Sequence, residues 1–196
     1  LKNVDFTLRK GEVHALVGEN GAGKTTLMNV LYGLVSCDQG EIRIKDEVLT
    51  NATTSAIKSK GVALIPQKLQ MLSDLSVAEN LFINIWPKNK HIGLINWKEI
   101  HARAEELLKK VNLDIDPEIE MGKLSYVDQQ MVVITRMLFA ENADIIILDE
   151  PTAPLVEQEV ELLFKFIKSL QAEGYSFIYI SHFLQEIFEI GDRATV

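Results

Sequence analysis

The side chains best suited to chemistry in this chain are a lysine, two adjacent carboxylates, a histidine and a glutamine, carried on four separate stretches. The first stretch, GENGAGKT at 18–25, fits the spacing of a phosphate-binding loop: glycine, four residues, glycine, lysine, then serine or threonine. Gly21 and Gly23 let the backbone curl so that successive N–H groups point inward around a phosphate. Gly18, Asn20, Ala22 and Thr26 complete the expected binding loop. Lys24 supplies a point charge for the β- and γ-oxygens of a nucleoside triphosphate, and the Thr25 hydroxyl is suited to Mg²⁺.

The second stretch, ADIIILDEPT at 143–152, is an apolar strand delivering two carboxylates to its C-terminal end. Asp149 is placed to hold Mg²⁺ through water, and Glu150 to take a proton from an attacking water. General-base help of that kind is worth ~10²–10⁴ in rate. His182 ends FIYISH at 177–182, on the same expected sheet edge and in reach of a γ-phosphate. Gln67 follows VALIP at 62–66, where its amide can touch Mg²⁺ or the attacking water. Singly these signals are weak. An acidic pair after a strand is more often a loop or cap, and a lone histidine is more often structural. Joined to a phosphate loop they describe hydrolysis.

Placing four stretches on one edge requires a parallel sheet. VHALV (13–17) reads as a strand entering the glycine loop, and KTTLMNVLYGL (24–34) as the helix after it. VALIP, DIIIL (144–148) and SFIYI (176–180) are continuous apolar runs, as expected of strands buried on both faces. The long sequence between successive strands fits crossover connections. EIRI (41–44) and EVLT (47–50), parted by Lys45-Asp46, are spaced to pair as a hairpin. Residues 76–140 read as mostly helical; WKEIHARAEELLKKVNL has the clearest helical period, and WPKNKHIGL (86–94) reads as an exposed loop. KLSYVDQQMVVITRML (123–138) reads as a helix start running into an amphipathic helix after Gln129. The expected organisation is an α/β core at 1–69 and 141–196 with a helical insertion at about 70–140.

Composition bounds the partners. The 196 residues suffice for one sizeable domain, and 47% hydrophobic content indicates a packed core. A net charge of −8 speaks against nucleic acid, whose binders carry a basic face. The single Cys37 excludes an internal disulfide and fits a reducing compartment. No apolar run approaches the ~18 residues of a membrane-spanning helix, and no signal peptide is expected. A start at Leu1 and an end at GDRATV, which reads as an opening strand, suggest a piece of a longer protein.

GENGAGKTT, IPQ, LSxxxQQ, ILDEPT and YISH, in this order and spacing, resemble the ATP-binding subunits of ABC transporters, over essentially the whole chain. GEVHALVGENGAGKTTLMNVLYG and LSDLSVAENLFI are similar more specifically to the ATPases of simple-sugar and nucleoside importers, which carry two such domains in tandem. The resemblance implies a P-loop NTPase fold with a mostly parallel core sheet, an antiparallel β subdomain and a helical insertion. Residues 1–196 would form one such domain, the N-terminal one of the pair. It implies ATP and Mg²⁺, with each ATP held between one domain's phosphate loop and the other's LSGGQ-type loop. It further implies a second ATP-binding domain and a transmembrane permease as partners at the cytoplasmic face of the plasma membrane. A substrate-binding protein is an indirect partner. The permease would meet the segment after Gln67 and the helical insertion.

The chain departs from that pattern in three places. Leu124-Ser125-Tyr126-Val127-Asp128 stands where LSGGQ or LSVGQ is usual. Pro154 and Val156 occupy a dimer-contact loop that usually carries alanine and aspartate or threonine. The adenine-stacking aromatic usually precedes the first strand, and so would lie before Leu1. Val127 is expected to obstruct the approach to phosphate, and Asp128 to cap its helix while repelling a polyphosphate. Like unit charges ~4 Å apart repel by ~4 kcal/mol at an effective dielectric of ~20. The expectation is an asymmetric tandem, competent at this chain's phosphate loop and poor at the site its LSYVD loop offers the partner. Two other readings are a non-transport ABC ATPase and a nucleotide-binding module that hydrolyses weakly.

Overall fold

The computed structural model describes residues 1–19, 21–49, 52–83, 85–86 and 95–196. They form two compact units. The first comprises Leu1–Gln67, Ala143–Ala153 and Ile167–Val196, the second Lys68–Asn142 and Pro154–Phe166.

The first unit is built on a five-stranded sheet. Its strands are β1 (Val13–Val17), β4 (Val62–Ile65), β5 (Ile145–Asp149), β6 (Ser176–Ser181) and β7 (Arg193–Thr195), in the order β4-β5-β6-β1-β7. Every pairing is parallel. The apolar runs explain the placement: β1 and β6 are buried along their whole length, with Phe177 and Tyr179 fully enclosed. Burying each large apolar side chain is worth about 1.5–3 kcal/mol, and only a sheet covered on both faces can bury them all. The register then decides where the strands stop. Val17 lies opposite Ser181 and Asp149 opposite Ile180, so three central strands end nearly flush on one edge.

A separate antiparallel pair, β2 (Ile42–Ile44) and β3 (Glu47–Leu49), forms the expected hairpin. Lys45 and Asp46 both take positive φ, 51° and 65°, as the tightest hairpin turns require. Ile42 and Ile44 face the cluster of Leu16, Met28, Tyr32 and Ile57, while Arg43 between them is exposed. Helix α1 (Lys24–Leu31) follows β1, α2 (Thr54–Ser59) precedes β4, and α7 (Leu184–Ile190) lies between β6 and β7. The strand expected at the chain's end is β7, fixed by Arg193, whose guanidinium donates to the Glu12 carboxylate at 2.9 and 3.2 Å.

The second unit is helical. α3 (Val77–Leu81) starts at a reciprocal cap: Ser76 Oγ accepts the Glu79 N–H, and the Glu79 carboxylate accepts the Ser76 N–H at 2.7 Å. α4 (Trp97–Lys110) buries Ile100, Ala104 and Leu108, the stripe its period predicts. Trp86 packs edge-on against Trp97 at 5.5 Å between ring centroids. The rest of the loop expected at 86–94 lies outside the described residues. After α5 (Tyr126–Thr135) comes a π-helical turn at Arg136–Ala140. α6 (Glu157–Ala172) begins in this unit and ends in the first, which takes over at Ile167.

Two expectations about α5 are corrected. The helix begins at Tyr126, not after Gln129, because Ser125 caps it by accepting the Asp128 N–H at 3.2 Å. It is also not amphipathic: Val127 and every residue from Gln129 to Thr135 are buried.

Candidate active site

The sheet edge gathers the expected residues within the first unit. A cleft of about 250 Å³ is lined by Gly21, Gly23, Lys24, Thr25, Thr26, Gln67, Asp149 and Glu150. They lie in the segments that follow β1 and β4 and where β5 ends, at the C-terminal ends of the strands, where open α/β sheets bind ligands. Gly21 and Gly23 have φ of 88° and 98°, values that side-chain-bearing residues rarely adopt, and Gly23 caps α1. The cap leaves the first N–H groups of α1 without intrahelical partners, and the aligned peptide dipoles add positive potential there. Lys24 crosses the loop, donating to the carbonyls of Gly18 at 2.6 Å and Glu19 at 3.1 Å. The Ala22 N–H donates to the same Glu19 carbonyl at 3.1 Å. Asn20 lies outside the described residues.

Glu150 is the best-held group of the site. Gln67 Nε2 donates to its Oε2 at 3.2 Å, and His182 Nδ1 lies 3.1 Å from its Oε1. One neighbour therefore brackets each carboxylate oxygen, which fixes the plane of the carboxylate. Its backbone is in the left-handed region, with φ 46°. That conformation costs a non-glycine residue about 1–2 kcal/mol. The cost is offset locally: the Glu150 N–H donates to Ile180 O at 3.0 Å and its carbonyl accepts from Ala153 N–H at 3.3 Å. The strained turn swings Glu150 out of the strand direction that Asp149 continues. Neither the strain nor the bracketing was readable from DEPT.

Asp149 is half-buried. Burial raises its pKa first, and the charge of Glu150 raises it further, against a smaller opposing pull from Lys24. A cation would relieve both raising effects. The oxygen donors available, the Asp149 carboxylate, the Thr25 hydroxyl and the Gln67 amide, are the hard set that Mg²⁺ prefers. The residues present therefore fit the ion.

Leu124, Ser125, Tyr126, Val127 and Asp128 belong to the second unit. Val127 is buried, which corrects the expectation that its side chain obstructs a phosphate. Asp128 is not itself the cap. It sits one turn in, where its Oδ2 accepts the Ser125 hydroxyl proton at 2.6 Å. Of the groups that sequence reasoning missed, the most consequential is Glu186 on α7, bonded to the hydroxyls of Tyr179 and Ser181.

This geometry has close parallels. The family model described as ABC transporter matches residues 1–153. The ribose import ATP-binding protein RbsA of Shouchella clausii is 44% identical over 196 residues, covering 100% of this chain and 39% of that protein. The xylose import ATP-binding protein XylG of Moorella thermoacetica is 46% identical over 198 residues, again 100% of this chain and 39% of the relative. The chain thus spans about two fifths of the length of these relatives. Among solved structures, an ATP-binding cassette of an ABC transporter in its ADP conformation superposes with a TM-score of 0.83 at 28% identity, covering 97% of this chain and 78% of that one. A dimeric bacterial ABC transporter cassette superposes at 0.75 with 26% identity, covering 99% and 84%. With the glycine loop, the carboxylate pair and the histidine gathered on one parallel-sheet edge, and a family match over most of its length, the chain belongs to the ABC transporter family.

Proposed function

We propose that this chain is the ATP-binding and ATP-hydrolysing domain of an importer that drives a simple sugar through a membrane permease. The observation that carries the chemistry is the bracketing of Glu150 by Gln67 and His182 at the mouth of the glycine-loop cleft. In this reading Lys24 and the N–H groups around Gly21 and Gly23 hold the β- and γ-phosphates. Thr25, Asp149 and Gln67 hold Mg²⁺, which when bound neutralises charge between the terminal phosphates. Glu150 takes the proton of the attacking water, and His182 faces the γ-phosphate. The importer assignment draws on relatives named for ribose and xylose import. Among the described residues no helix is long and apolar enough to cross a membrane. In this reading the sugar crosses through a separate permease, the ATPase works at its cytoplasmic face, and a substrate-binding protein is an indirect partner. The full-length protein reconstituted with its permease and binding protein should take up labelled ribose, xylose or galactose only when ATP is supplied. ATP turnover with uptake of none of these sugars would overturn the sugar assignment.

The Ser125–Asp128 pair supports a second element of the proposal, an asymmetric tandem. The hydroxyl proton of Ser125 is already engaged by a carboxylate, and that carboxylate adds negative charge at the helix start. A second ATP-binding domain facing this loop would find a poor phosphate site, so hydrolysis concentrates where Lys24, Asp149, Glu150 and His182 lie. Because Val127 is buried, a repair is best confined to Asp128→Gln. If the second domain's facing phosphate loop is itself impaired, this substitution in the full-length protein should change ATP turnover little. A gain of ~10-fold or more would show that the LSYVD loop was the limiting defect.

A further inference from the structure

The end of β6 carries a hydrogen-bond network that the hydrolytic groups do not themselves use. Glu186, in the first turn of α7, accepts two hydroxyl protons on a single carboxylate oxygen. Tyr179 Oη and Ser181 Oγ each lie 2.8 Å from its Oε2. Both hydroxyl residues are enclosed, at 0% and 1% exposure, so neither has water to replace that acceptor. Burial, and then the Glu186 charge, push the Tyr179 hydroxyl far above its ordinary value, which keeps it a donor at any working pH. With its own proton committed, the Tyr179 oxygen accepts from Thr152 Oγ1 at 3.3 Å. The Ser181 oxygen likewise accepts the Phe183 N–H at 3.0 Å.

Two lines of contact therefore leave Glu186 and end at residues next to the reacting groups in the chain. Along one, the Ser181 hydroxyl closes a turn onto Phe183 N–H, and the residue inside that turn is His182. Along the other, Tyr179 reaches Thr152, two residues beyond Glu150 in the loop that leaves β5. His182 Nδ1 and Glu150 Oε1 meet at 3.1 Å between these two anchored segments. We infer that Glu186 is a positioning residue, holding the end of β6 and the loop after β5 in the relation at which His182 faces Glu150. It touches neither substrate nor metal in this role. The inference rests on the assignment of His182 and Glu150 to hydrolysis.

A misplacement of about 1 Å at reacting groups can cost ~10²-fold in rate, so a partial loosening is expected to cost ~10-fold. In the full-length ATPase assembled with its permease, Glu186→Ala should lower kcat by about that factor while the Kd for ATP stays within ~2-fold. Unchanged affinity separates mispositioning from general unfolding, because the glycine loop lies on the same sheet. Glu186→Gln places an amide oxygen where Oε2 sits and should recover turnover to within ~3-fold of wild type. Adding Glu186→Ala to His182→Ala should cost less than the two single losses combined, since coupled residues are not additive. Wild-type kcat in Glu186→Ala, a fully additive double variant, or a Glu186→Gln variant as slow as Glu186→Ala would each overturn the inference alone. Wild-type turnover in His182→Ala would overturn both the inference and the hydrolytic assignment beneath it.

Discussion

Replacing Glu150 with glutamine should leave ATP bound and slow its hydrolysis by ~10²-fold or more. The substitution keeps the shape of the side chain and one oxygen, so Gln67 and His182 retain an acceptor between them. What it removes is the negative charge and the basicity that would draw a proton from water. It also removes one of the influences raising the Asp149 pKa, so metal-dependent ATP binding should be preserved or tighter. The prediction separates two readings of the carboxylate pair. If Glu150 were only a structural acceptor, the one oxygen left to glutamine would keep one of the two contacts and turnover would fall far less. Single-turnover hydrolysis in the assembled transporter, beside ATP binding to the same sample, distinguishes them. A wild-type rate would mean that another group is the base.

The parts of this site legible in the sequence are those whose physics is local. A glycine loop between an apolar strand and a helix declares itself, because Gly21 and Gly23 are needed for backbone angles that few other residues reach. Strands buried on both faces are legible for a similar reason: SFIYI has no polar side to turn to water, and it forms β6 with every residue buried. The hairpin around Lys45-Asp46 followed from spacing alone. Helices α2, α6 and α7 drew no reading of their own. The six residues TSAIKS of α2 hold together through the Thr53 cap at 3.3 Å rather than through any long period. At LSYVD the failure was in the local physics itself. Ser125 outcompeted the acidic residue as cap, and the helix therefore started earlier and buried Val127. The Glu186 network could not be foreseen either. Its members are spread from Thr152 to Glu186, and only the parallel register of β5 and β6 makes them neighbours.

Lys24→Ala should abolish tight Mg²⁺-dependent ATP binding, with affinity falling by ~10²-fold or more. Among the described residues lining the cleft, Lys24 is the one cationic side chain. A polyphosphate there is otherwise met by backbone N–H groups, by the helix dipole and by threonine hydroxyls. A hydrogen bond to a charged group is worth about 1.5–3 kcal/mol, so losing two such contacts from one ammonium predicts ~10²–10⁴ in affinity. The same ammonium also ties the carbonyls of Gly18 and Glu19 across the loop, which offers a competing explanation for any loss. The two explanations diverge with the ligand. Loss of a point charge weakens ATP far more than adenosine, since adenosine presents nothing for Lys24 to meet. Collapse of the loop would instead lower the thermal stability of the unliganded protein as well. Calorimetric titration with ATP and with adenosine, beside a melting curve, resolves the cause. Unchanged ATP affinity in the variant would remove Lys24 from the phosphate site, and with it the reading of the cleft as a place for nucleotide.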